Sequence, residues 1–431
     1  MKEYDLVIIG SGPAGYTAAF EARKYNLKTA IIERDPERLG GVCLNEGCIP
    51  LKGLLYHAHA QKDYHALQDL VMKRVYQIRA GLRSRIQSLG IEVLPGEASF
   101  RSNTVIDAGS DTVSAKHVII ATGSSPKRLF DRPNVFGSDR IFNLEGPPGR
   151  TLIIGGGVVG CEYASFLASI GAQVDIVEML ESLLFGEDEE AVRVMLREFR
   201  KRNIGVYAKS RIAEIGPDGE VSIESDASEK NRYDLIFETT GRRPNTASLA
   251  LDAAGVKLDG KGFIAVDDSL RTSAKNIYAA GDCIDTPMLA YTAAREAEAA
   301  VRHMVTGERS RIDYGTMPRL VFSIPQVGSA GISKNAAEEK GLDCRVYRYF
   351  FKALGKAVME GRDTGFVKLV ADASSGKVIG ASAVGDDIAD IMNQLALIVS
   401  RGIPVDEIGE CMFVHPSYSE IILEAVRYGR M

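Results

Sequence analysis

Two cysteines, Cys43 and Cys48, lie five residues apart in the glycine-containing segment 40–52. Two thiols at this spacing could form a redox-active disulfide, bind a metal ion or be unrelated buried side chains. In a regular helix their Cα atoms would be about 8–9 Å apart, whereas a disulfide requires roughly 4.4–6.8 Å. The sulfur atoms can therefore bond only if the segment is irregular, which Gly47 makes possible. The spacing is not a standard zinc pattern and no second Cys or His pair has metal-site spacing, so we predict no metal site.

A histidine and a carboxylate form a second candidate group near the end of the sequence. His415 is followed by Pro416, which stiffens the chain, and Glu420 is near enough to orient the imidazole ring. An imidazole held at one nitrogen by a carboxylate can take or give a proton through the other. It can also stabilise a thiolate, the nucleophile in disulfide exchange. A histidine considered alone is more often structural than catalytic, so the residues themselves leave both interpretations open.

A duplicated strand–glycine–helix–strand pattern predicts the elements that position these groups. In the first copy, the apolar run 6–9 leads into a glycine motif, a helix and a second strand that ends at Glu33. In the second copy, residues 152–154 lead into a similar motif, and the second strand ends at Glu178. The acid follows the first glycine by 23 residues in both copies. The glycines of the two motifs are Gly10, Gly12 and Gly15, and Gly155, Gly157 and Gly160.

Each motif has the properties of a dinucleotide-binding loop. The first glycine makes the tight turn out of the strand, the second lets a pyrophosphate approach the backbone, and the third lets helix and strand pack closely. The helix N-terminus offers free N–H groups to phosphates, and the acid accepts hydrogen bonds from a ribose diol. Two motifs in register favour two bound dinucleotides over glycine-rich turns in an ordinary α/β sheet. The carboxylate of Glu178 would repel a 2′-phosphate, which favours NAD over NADP.

Length and composition exclude several classes of protein. The chain has 431 residues, enough for about three domains, and its 45% hydrophobic and 25% charged residues are ordinary for a globular protein. These values argue against a disordered chain or a coiled coil, and no apolar run approaches the ~18 residues of a membrane helix. A net charge of -5 does not indicate binding to nucleic acid or to an anionic membrane. Six dispersed cysteines and the lack of a signal-peptide cleavage site predict a cytoplasmic location.

The order of these motifs resembles that of the class I pyridine nucleotide-disulfide oxidoreductases, the group of dihydrolipoamide dehydrogenase, glutathione reductase and mercuric reductase. The resemblance covers nearly the whole chain and is nearest to dihydrolipoamide dehydrogenase. It rests on the Gly10 motif, Cys43 to Lys52, Ala121-Thr122-Gly123, the Gly155 motif, Gly281-Asp282 and His415 to Glu420. The C-terminal residues carry no cysteine, unlike those of mercuric reductases and large thioredoxin reductases.

The resemblance implies where the cofactors bind. FAD would occupy the first copy, with Glu33 at its adenosine ribose, and NAD would occupy the second, with Glu178 in the same role. Asp282 would contact the ribityl or pyrophosphate part of FAD. Thr122 and Gly123 would mark the return of the chain between the two nucleotide-binding domains.

The resemblance also implies a route for electrons and a homodimer. Cys43 would exchange with substrate, and Cys48 would lie over the flavin. Lys52 and Glu162 match a pair that the family places near the flavin N5 and the nicotinamide. The His-Glu pair at the C-terminal end of the chain would act on Cys43 of the other subunit.

The predicted fold is α/β, with two Rossmann-like dinucleotide-binding domains and a C-terminal α+β dimerisation domain. The first part of the FAD domain is predicted over 1–149 and the NAD domain over 150–240. The FAD return segment follows over 241–310, and the dimerisation domain over 311–431.

The implied activity is electron transfer between NAD(H), FAD, a Cys43–Cys48 disulfide and a dithiol or disulfide substrate. Dihydrolipoamide, as a small molecule or lipoyl-bound, is the leading substrate, and a 2-oxo acid dehydrogenase complex is a candidate partner. The alternatives are an NADH-dependent reductase of another disulfide, a coenzyme A persulfide, a quinone or a metal ion, and a non-catalytic nucleotide-sensing flavoprotein. Glu46 departs from the family pattern by placing a negative charge between the cysteines, where an anion is expected to raise the pKa of a thiol.

Overall fold

The computed structural model describes residues 1–61, 63–225 and 229–431. The chain forms two compact units, each assembled from separate stretches of sequence. The first unit contains residues 1–127, 139–143 and 241–312, and the second contains residues 128–138, 144–240 and 313–431. The boundaries predicted near 149, 240 and 310 divide the chain more finely and stay a prediction. Among the described residues, no helix combines the length and the apolar character needed to cross a membrane.

The secondary-structure elements are numbered along the chain. The helices are α1 (Pro13–Lys24), α2 (Gly41–Asn45), α3 (Cys48–His57), α4 (Tyr64–Ser88), α5 (Val158–Ser169), α6 (Glu189–Lys201), α7 (Ala290–Thr306), α8 (Lys334–Glu339), α9 (Gly355–Glu360), α10 (Ala389–Arg401), α11 (Val405–Glu410) and α12 (Glu420–Tyr428). The strands are β1 (Lys2–Ile9), β2 (Thr29–Glu33), β3 (Glu92–Pro95), β4 (Ala98–Phe100), β5 (Val105–Ala108), β6 (Asp111–Ile120), β7 (Ser124–Pro126), β8 (Val135–Gly137), β9 (Arg150–Ile154), β10 (Gln173–Val177), β11 (Ile204–Tyr207), β12 (Arg211–Ile215), β13 (Glu220–Glu224), β14 (Glu229–Arg232), β15 (Leu235–Glu238), β16 (Arg242–Pro244), β17 (Ile277–Ala279), β18 (Arg319–Val321), β19 (Gln326–Gly331), β20 (Cys344–Phe350), β21 (Phe366–Asp372) and β22 (Val378–Gly385).

The main sheet of the first unit is built on buried apolar strands. Its strand order is β3-β2-β1-β6-β5-β4, and β17 also pairs with β6. Strand β1 pairs in parallel with β2 and β6, and its residues 6–9 are buried. A continuous apolar strand of this kind is typical of a parallel sheet that is covered on both faces. The strand ends at the first glycine motif, which therefore lies at the carboxyl edge of the sheet, where α/β folds bind ligands.

Two short strands join distant parts of the first unit. Strands β7 and β16 are antiparallel, with Ser124 opposite Pro244. Beside them, the Thr122 hydroxyl donates to the carbonyl of Asn245 at 2.7 Å, and the Asn245 side-chain amide donates to the Thr122 carbonyl at 3.0 Å. These contacts bring the segment that leaves the first unit next to the segment that returns to it.

The second unit repeats this architecture in its first part. Its parallel sheet has the order β11-β10-β9-β15-β8, and β9 pairs with β10 as β1 pairs with β2. The C-terminal sheet is antiparallel, in the order β18-β19-β22-β21-β20, and helices α10 and α12 pack against it. The sheet of the first unit is parallel except for β4 and β5, which are antiparallel. Together with the parallel sheet of the second unit and the antiparallel C-terminal sheet, it confirms the predicted α/β fold class with a C-terminal α+β domain.

Candidate active site

The two cysteines lie on either side of a break between two helices. Cys43 belongs to α2, and Cys48 is the first residue of α3. Glu46 and Gly47 lie between the helices, so the segment is irregular, as a bond between the two sulfurs requires. Both cysteines are present as thiols, and their side chains are hydrogen-bonded to each other.

The environment of Cys43 favours the protonated thiol. The hydrogen bond with Cys48 raises the pKa of Cys43, and burial and the charge of Cys48 raise it further. Lys52, which lies one helical turn beyond Cys48, acts in the opposite direction, but the pKa of Cys43 stays above its ordinary value of 9.0. Because the thiolate is the reactive form, a reduced Cys43 needs a base to become a nucleophile at neutral pH.

Glu46 does not act on the thiols as an isolated charge. It forms an ion pair with Arg38, so a guanidinium offsets the charge that was expected to raise the pKa of a thiol. The residues that shift the pKa of Cys43 are instead Cys48 and Lys52.

Asn45 holds the cysteine segment in place. Its buried side-chain amide donates to the carbonyl oxygens of Arg38 and Gly41 at 2.9 Å, and it lies 3.1 Å from that of Leu39. Its side-chain oxygen accepts a hydrogen bond from Arg79 of α4 at 2.9 Å. This role was not predicted. The only indication of it in the sequence was that a polar side chain lies between the two cysteines.

Gly47 permits the break between the two helices. A Cβ atom at this position would lie 2.9 Å from the carbonyl oxygen of Val42 and 3.2 Å from the Cα atom of Cys43. We therefore expect Gly47→Ala to push α2 and α3 apart, to lower the free energy of unfolding by about 1–3 kcal/mol and to prevent disulfide formation. Denaturant unfolding and thiol titration after mild oxidation measure these two effects.

Gly81→Ala is the matched control for this substitution. Gly81 lies inside α4, and nothing is within 4 Å of a Cβ atom built there. Alanine should stabilise the helix by roughly 0.5–1 kcal/mol, because it loses less backbone entropy on folding than glycine. A Gly47→Ala variant that is as stable and as readily oxidised as the parent would contradict the role assigned to Gly47.

A tyrosine of α1 lies beside the thiols. Burial raises the pKa of Tyr16, and the charges of Cys43 and Cys48 raise it further. Tyr16 directly follows the first glycine motif in sequence, and its position near the thiols was not predicted. The backbones also approach, since the Cα atom of Gly41 lies 4.0 Å from a Cβ atom built at Gly12. The cysteine pair therefore lies next to the first predicted dinucleotide loop.

The first glycine motif has the geometry of a phosphate-binding turn. Gly10 has a φ of +102°, and a Cβ atom there would lie 2.4 Å from the carbonyl oxygen of Ala121. A Cβ atom at Gly15 would lie 1.9 Å from the carbonyl oxygen of Gly10. Helix α1 begins after Gly12 without a side-chain cap. Its first N–H groups can therefore bind a phosphate.

The second motif repeats these features in the second unit. Gly155 has a φ of +106°, and a Cβ atom at Gly160 would lie 2.0 Å from its carbonyl oxygen. Nothing lies within 4 Å of a Cβ atom built at Gly157, and α5 begins after this residue without a side-chain cap. The space in front of Gly157 is thus available to a ligand.

The two acids contact the two loops in the same way. Glu33 accepts the N–H of Ser11 at 3.0 Å, and Glu178 accepts the N–H of Gly156 at 2.7 Å. Ser11 and Gly156 occupy the second position of their motifs. Each carboxylate lies at its loop, where a ribose would bind. The uncapped helix and the acid in each unit fit a dinucleotide, and in the second unit Gly157 also leaves space for it.

Asp282 lies beyond the end of β17 in the first unit. It accepts a hydrogen bond from the Ser124 hydroxyl at 2.7 Å, and Arg242 donates to the same hydroxyl at 2.6 Å. The preceding N–H, that of Gly281, donates at 2.7 Å to Glu296 of α7, which is completely buried. The role of Glu296 was not predicted, and the available signal was an acidic residue inside an alanine-rich helical pattern.

Glu162 lies in α5 of the second unit, where it is 2% exposed. One of its carboxylate oxygens accepts the N–H of Phe322 at 3.0 Å. Lys52 belongs to the first unit, and the pair with Glu162 that the resemblance implies stays a prediction.

His415 and Glu420 form a hydrogen-bonded pair in the second unit. The Nδ1 atom of His415 lies 2.8 Å from one carboxylate oxygen of Glu420, and the other oxygen accepts the Ser417 N–H at 2.7 Å. Burial raises the pKa of Glu420, but these hydrogen bonds outweigh it and leave the pKa below its ordinary value of 4.5. The carboxylate is therefore ionised at neutral pH and orients the ring. The His415 side chain is 82% exposed, so the remainder of the ring is open to a reactant.

Comparisons with known proteins agree with these features. Residues 4–297 match the family model described as pyridine nucleotide-disulphide oxidoreductase, and residues 317–426 match the dimerisation domain of that family. The dihydrolipoyl dehydrogenase of Chlamydia pneumoniae is 34% identical over 98% of this chain and 96% of its own length. The dihydrolipoyl dehydrogenase of Bacillus subtilis is 33% identical, with the same coverage of 98% and 96%.

Solved structures extend the comparison to other reductases. The HOCl-induced flavoprotein disulfide reductase RclA from Escherichia coli has a TM-score of 0.92 and 28% identity, and the match covers 98% of this chain and 99% of that one. A Cu(II) complex of RclA also matches with a TM-score of 0.92. LpdA from Mycobacterium tuberculosis has a TM-score of 0.91 and 26% identity, with 99% of both chains covered.

The matches confirm the resemblance drawn from the motifs. The relatives and the family use FAD and NAD(H), and the matched dimerisation domain supports a homodimer. The chain therefore belongs to the pyridine nucleotide-disulphide oxidoreductase family, as an NAD-dependent flavoprotein disulfide oxidoreductase.

Proposed function

We propose that this enzyme transfers electrons between a dithiol substrate and NAD⁺, and that the substrate is a dihydrolipoyl group. The observation that carries the proposal is the hydrogen bond between the Cys43 and Cys48 side chains across the break between α2 and α3. Two sulfurs held in this way can cycle between a dithiol and a disulfide without a change of fold. Similarity over almost the whole chain to proteins named dihydrolipoyl dehydrogenase supports the choice of substrate.

Exchange with the substrate moves two electrons and two protons. In the oxidative direction, one substrate thiolate attacks the Cys43 sulfur of the disulfide, the Cys43–Cys48 bond breaks, and Cys48 leaves as a thiolate. The second substrate thiolate then attacks the substrate sulfur of the mixed disulfide and releases Cys43. The products are a substrate disulfide and the reduced cysteine pair, and the protons of the two substrate thiols end on the enzyme.

His415 has the properties of the base that this exchange requires. Glu420 holds one ring nitrogen at 2.8 Å, so the other can take a proton from an attacking thiol and return it to a leaving one. The raised pKa of Cys43 makes a base equally necessary in the reductive direction, since Cys43 must lose its proton before it attacks a substrate disulfide. In the homodimer, the partner subunit's His415 would serve Cys43.

Bound FAD supplies a two-electron carrier between the cysteine pair and the nicotinamide. In each unit, the residues that would hold a cofactor include the three glycines of the motif and the acid beside them. For FAD they are Gly10, Gly12, Gly15, Glu33, Thr122, Gly123 and Asp282, and for NAD(H) they are Gly155, Gly157, Gly160 and Glu178. Lys52 and Glu162 would lie near the flavin and the nicotinamide.

The Gly157→Ala substitution should weaken NADH binding and leave the stability of the fold unchanged. The position has an extended backbone, with φ at -76°, and no described atom lies within 4 Å of the added Cβ atom. The methyl group would instead occupy the space of the nicotinamide dinucleotide's pyrophosphate. We expect the Kd for NADH to rise at least tenfold, a loss of about 1.4 kcal/mol, with the melting temperature of the NADH-free enzyme unchanged. Fluorescence titration with NADH and thermal unfolding measure the two quantities.

Gly160→Ala is the contrasting variant, because its Cβ atom would lie 2.0 Å from the carbonyl oxygen of Gly155. That variant should lose both stability and NADH affinity. Equal NADH affinity in Gly157→Ala and the parent would show that the dinucleotide does not approach this glycine.

Steady-state kinetics with a panel of substrates tests the proposed activity. We expect the highest kcat/KM for dihydrolipoamide with NAD⁺, above the values for NADH with glutathione disulfide, a coenzyme A persulfide or a quinone. Negligible activity with dihydrolipoamide beside fast turnover of another compound would overturn the substrate and leave the family assignment in place. Association with a 2-oxo acid dehydrogenase complex and a cytoplasmic location both stay predictions.

Reduction of a metal ion is a second candidate activity, because the Cu(II) complex of RclA is among the similar structures. Among the described residues, no group of three or more His, Cys, Asp or Glu side chains is placed to hold a metal ion. In this activity the reduced cysteine pair would pass electrons to the metal ion. NADH oxidation that depends on Cu(II) and disappears in Cys43→Ser, with no turnover of dihydrolipoamide, would favour this activity.

A further inference from the structure

A cavity of about 430 Å³ lies in the second unit, lined by residues of α6, β20 and β21. None of its residues belongs to the groups assigned above to electron transfer or to cofactor binding. Its charged lining consists of Arg193, Arg197, Arg200, Arg348 and one carboxylate, Glu190. The rest of the lining is apolar: Val194, Leu196, Phe350 and Phe366. Four arginines and one carboxylate therefore border a space that is large enough for a small metabolite.

Three of these arginines share one face of α6. Arg193, Arg197 and Arg200 are spaced by four and three residues, which places them side by side on the helix. Arg193 lies 3.7 Å from Glu189, whereas no described carboxylate pairs with Arg197 or Arg200. Like charges at this spacing destabilise a helix. The helix therefore presents a row of three guanidinium groups, and among the described residues only Arg193 has a carboxylate partner.

The opposite wall of the cavity holds the fourth guanidinium in a fixed position. Arg348 lies 2.8 Å from Glu190 and 4.8 Å from the centre of the Phe350 ring. Lys368, which is almost completely buried, lies 2.8 Å from Glu190 and 2.5 Å from Asp188. Glu190 is therefore already shared by Arg348 and Lys368, and it does not compensate the charges of Arg197 and Arg200.

We propose that this cavity binds an anion that carries two or more phosphate groups, such as a nucleoside di- or triphosphate. Guanidinium groups pair with phosphate oxygens through parallel hydrogen bonds, and donors on two walls suit an anion with oxygens on several sides. The proposal is independent of the disulfide chemistry, because the cavity shares no residue with it.

Titration calorimetry with pyrophosphate tests the proposal on the FAD-loaded enzyme. Saturating NAD⁺ is present throughout, so that the second glycine motif is occupied. We expect saturable binding that weakens as salt is raised. The double variant Arg197→Gln/Arg200→Gln should bind pyrophosphate about 100-fold more weakly, since two charge-assisted hydrogen-bonding groups are lost. Both side chains are exposed, so the variant is expected to fold, which thermal unfolding checks.

Lys73→Gln/Arg74→Gln removes two exposed positive charges from α4, outside the cavity lining, and serves as the matched control. It should bind pyrophosphate as tightly as the parent. ATP that binds at least as tightly as pyrophosphate, with citrate weaker than both, supports a polyphosphate site. Three results overturn the proposal: no saturable binding by the parent, tighter binding of citrate than of pyrophosphate, or equal affinity in the parent and the Arg197/Arg200 variant.

Discussion

The Cys48→Ser holoenzyme should accept only two electrons per FAD in an anaerobic titration with NADH, whereas the parent should accept more than two. The extra capacity of the parent belongs to the Cys43–Cys48 disulfide, which stores one electron pair. Serine cannot form that bond, so turnover of a dithiol substrate should fall by at least ~10³-fold. The titration is followed by the flavin absorbance, and the parent should also develop a long-wavelength thiolate–flavin band.

Cys411→Ser is the control for this experiment. Cys411 is an exposed thiol whose side chain contacts the carbonyl of Glu407 at 3.3 Å, and it has no part in the proposed exchange. Its replacement should leave both the electron capacity and the turnover unchanged. If the parent and Cys48→Ser both stop at two electrons per FAD, the dithiol mechanism is wrong.

His415→Gln should lower kcat/KM for dihydrolipoamide by ~10²–10⁴-fold, the usual contribution of a positioned acid–base group. Glutamine can still donate a hydrogen bond to Glu420 but cannot take a proton from a thiol. Glu420→Gln should cause a smaller loss, roughly tenfold, because it removes one charge-assisted hydrogen bond of about 1.5 kcal/mol. Steady-state kinetics measures both losses, and the rate of flavin reduction by NADH in a rapid-mixing experiment should stay at the parental value.

The acidity of Glu420 sets the pH range in which these losses are visible. Its pKa lies below 4.5, so the charged carboxylate and its contribution to orienting His415 are present above that pH. The contribution is lost only as the pH falls through the lowered pKa. The advantage of the parent over Glu420→Gln should therefore be present at neutral pH and shrink in acid below 4.5. An equal kcat/KM for His415→Gln and the parent at neutral pH would contradict the proposed base.

Local patterns were sufficient to predict the two glycine turns and to show that a bond between the two cysteines would need a break in their segment. The left-handed backbone of Gly10 and the close approach of Gly15 to its carbonyl follow from a strand that turns directly into a helix, and the same turn recurs at Gly155. A bond between the two cysteines requires an irregular backbone, because a regular helix keeps residues five apart beyond bonding distance. The bond between His415 and Glu420 likewise spans only five residues.

The roles of Asn45, Tyr16 and Glu296 could not be predicted in this way. Asn45 meets Arg79 across 34 residues, and Glu296 meets Gly281 across 15. Whether such a polar side chain is exposed or completely buried depends on which helix packs over it. The sequence pattern around such a residue does not indicate which helix will pack over it.

The arginine cavity shows the same division between sequence and structure. The spacing of Arg193, Arg197 and Arg200 already indicates one face of a helix, and such a face is ordinarily solvated. Only the packing of α6 against the C-terminal sheet places Arg348, from a segment about 150 residues away, opposite that face. Backbone geometry depends on neighbouring residues and can be inferred from their types. Charge compensation depends on every group within a few ångströms, and those groups are brought together only when the chain folds.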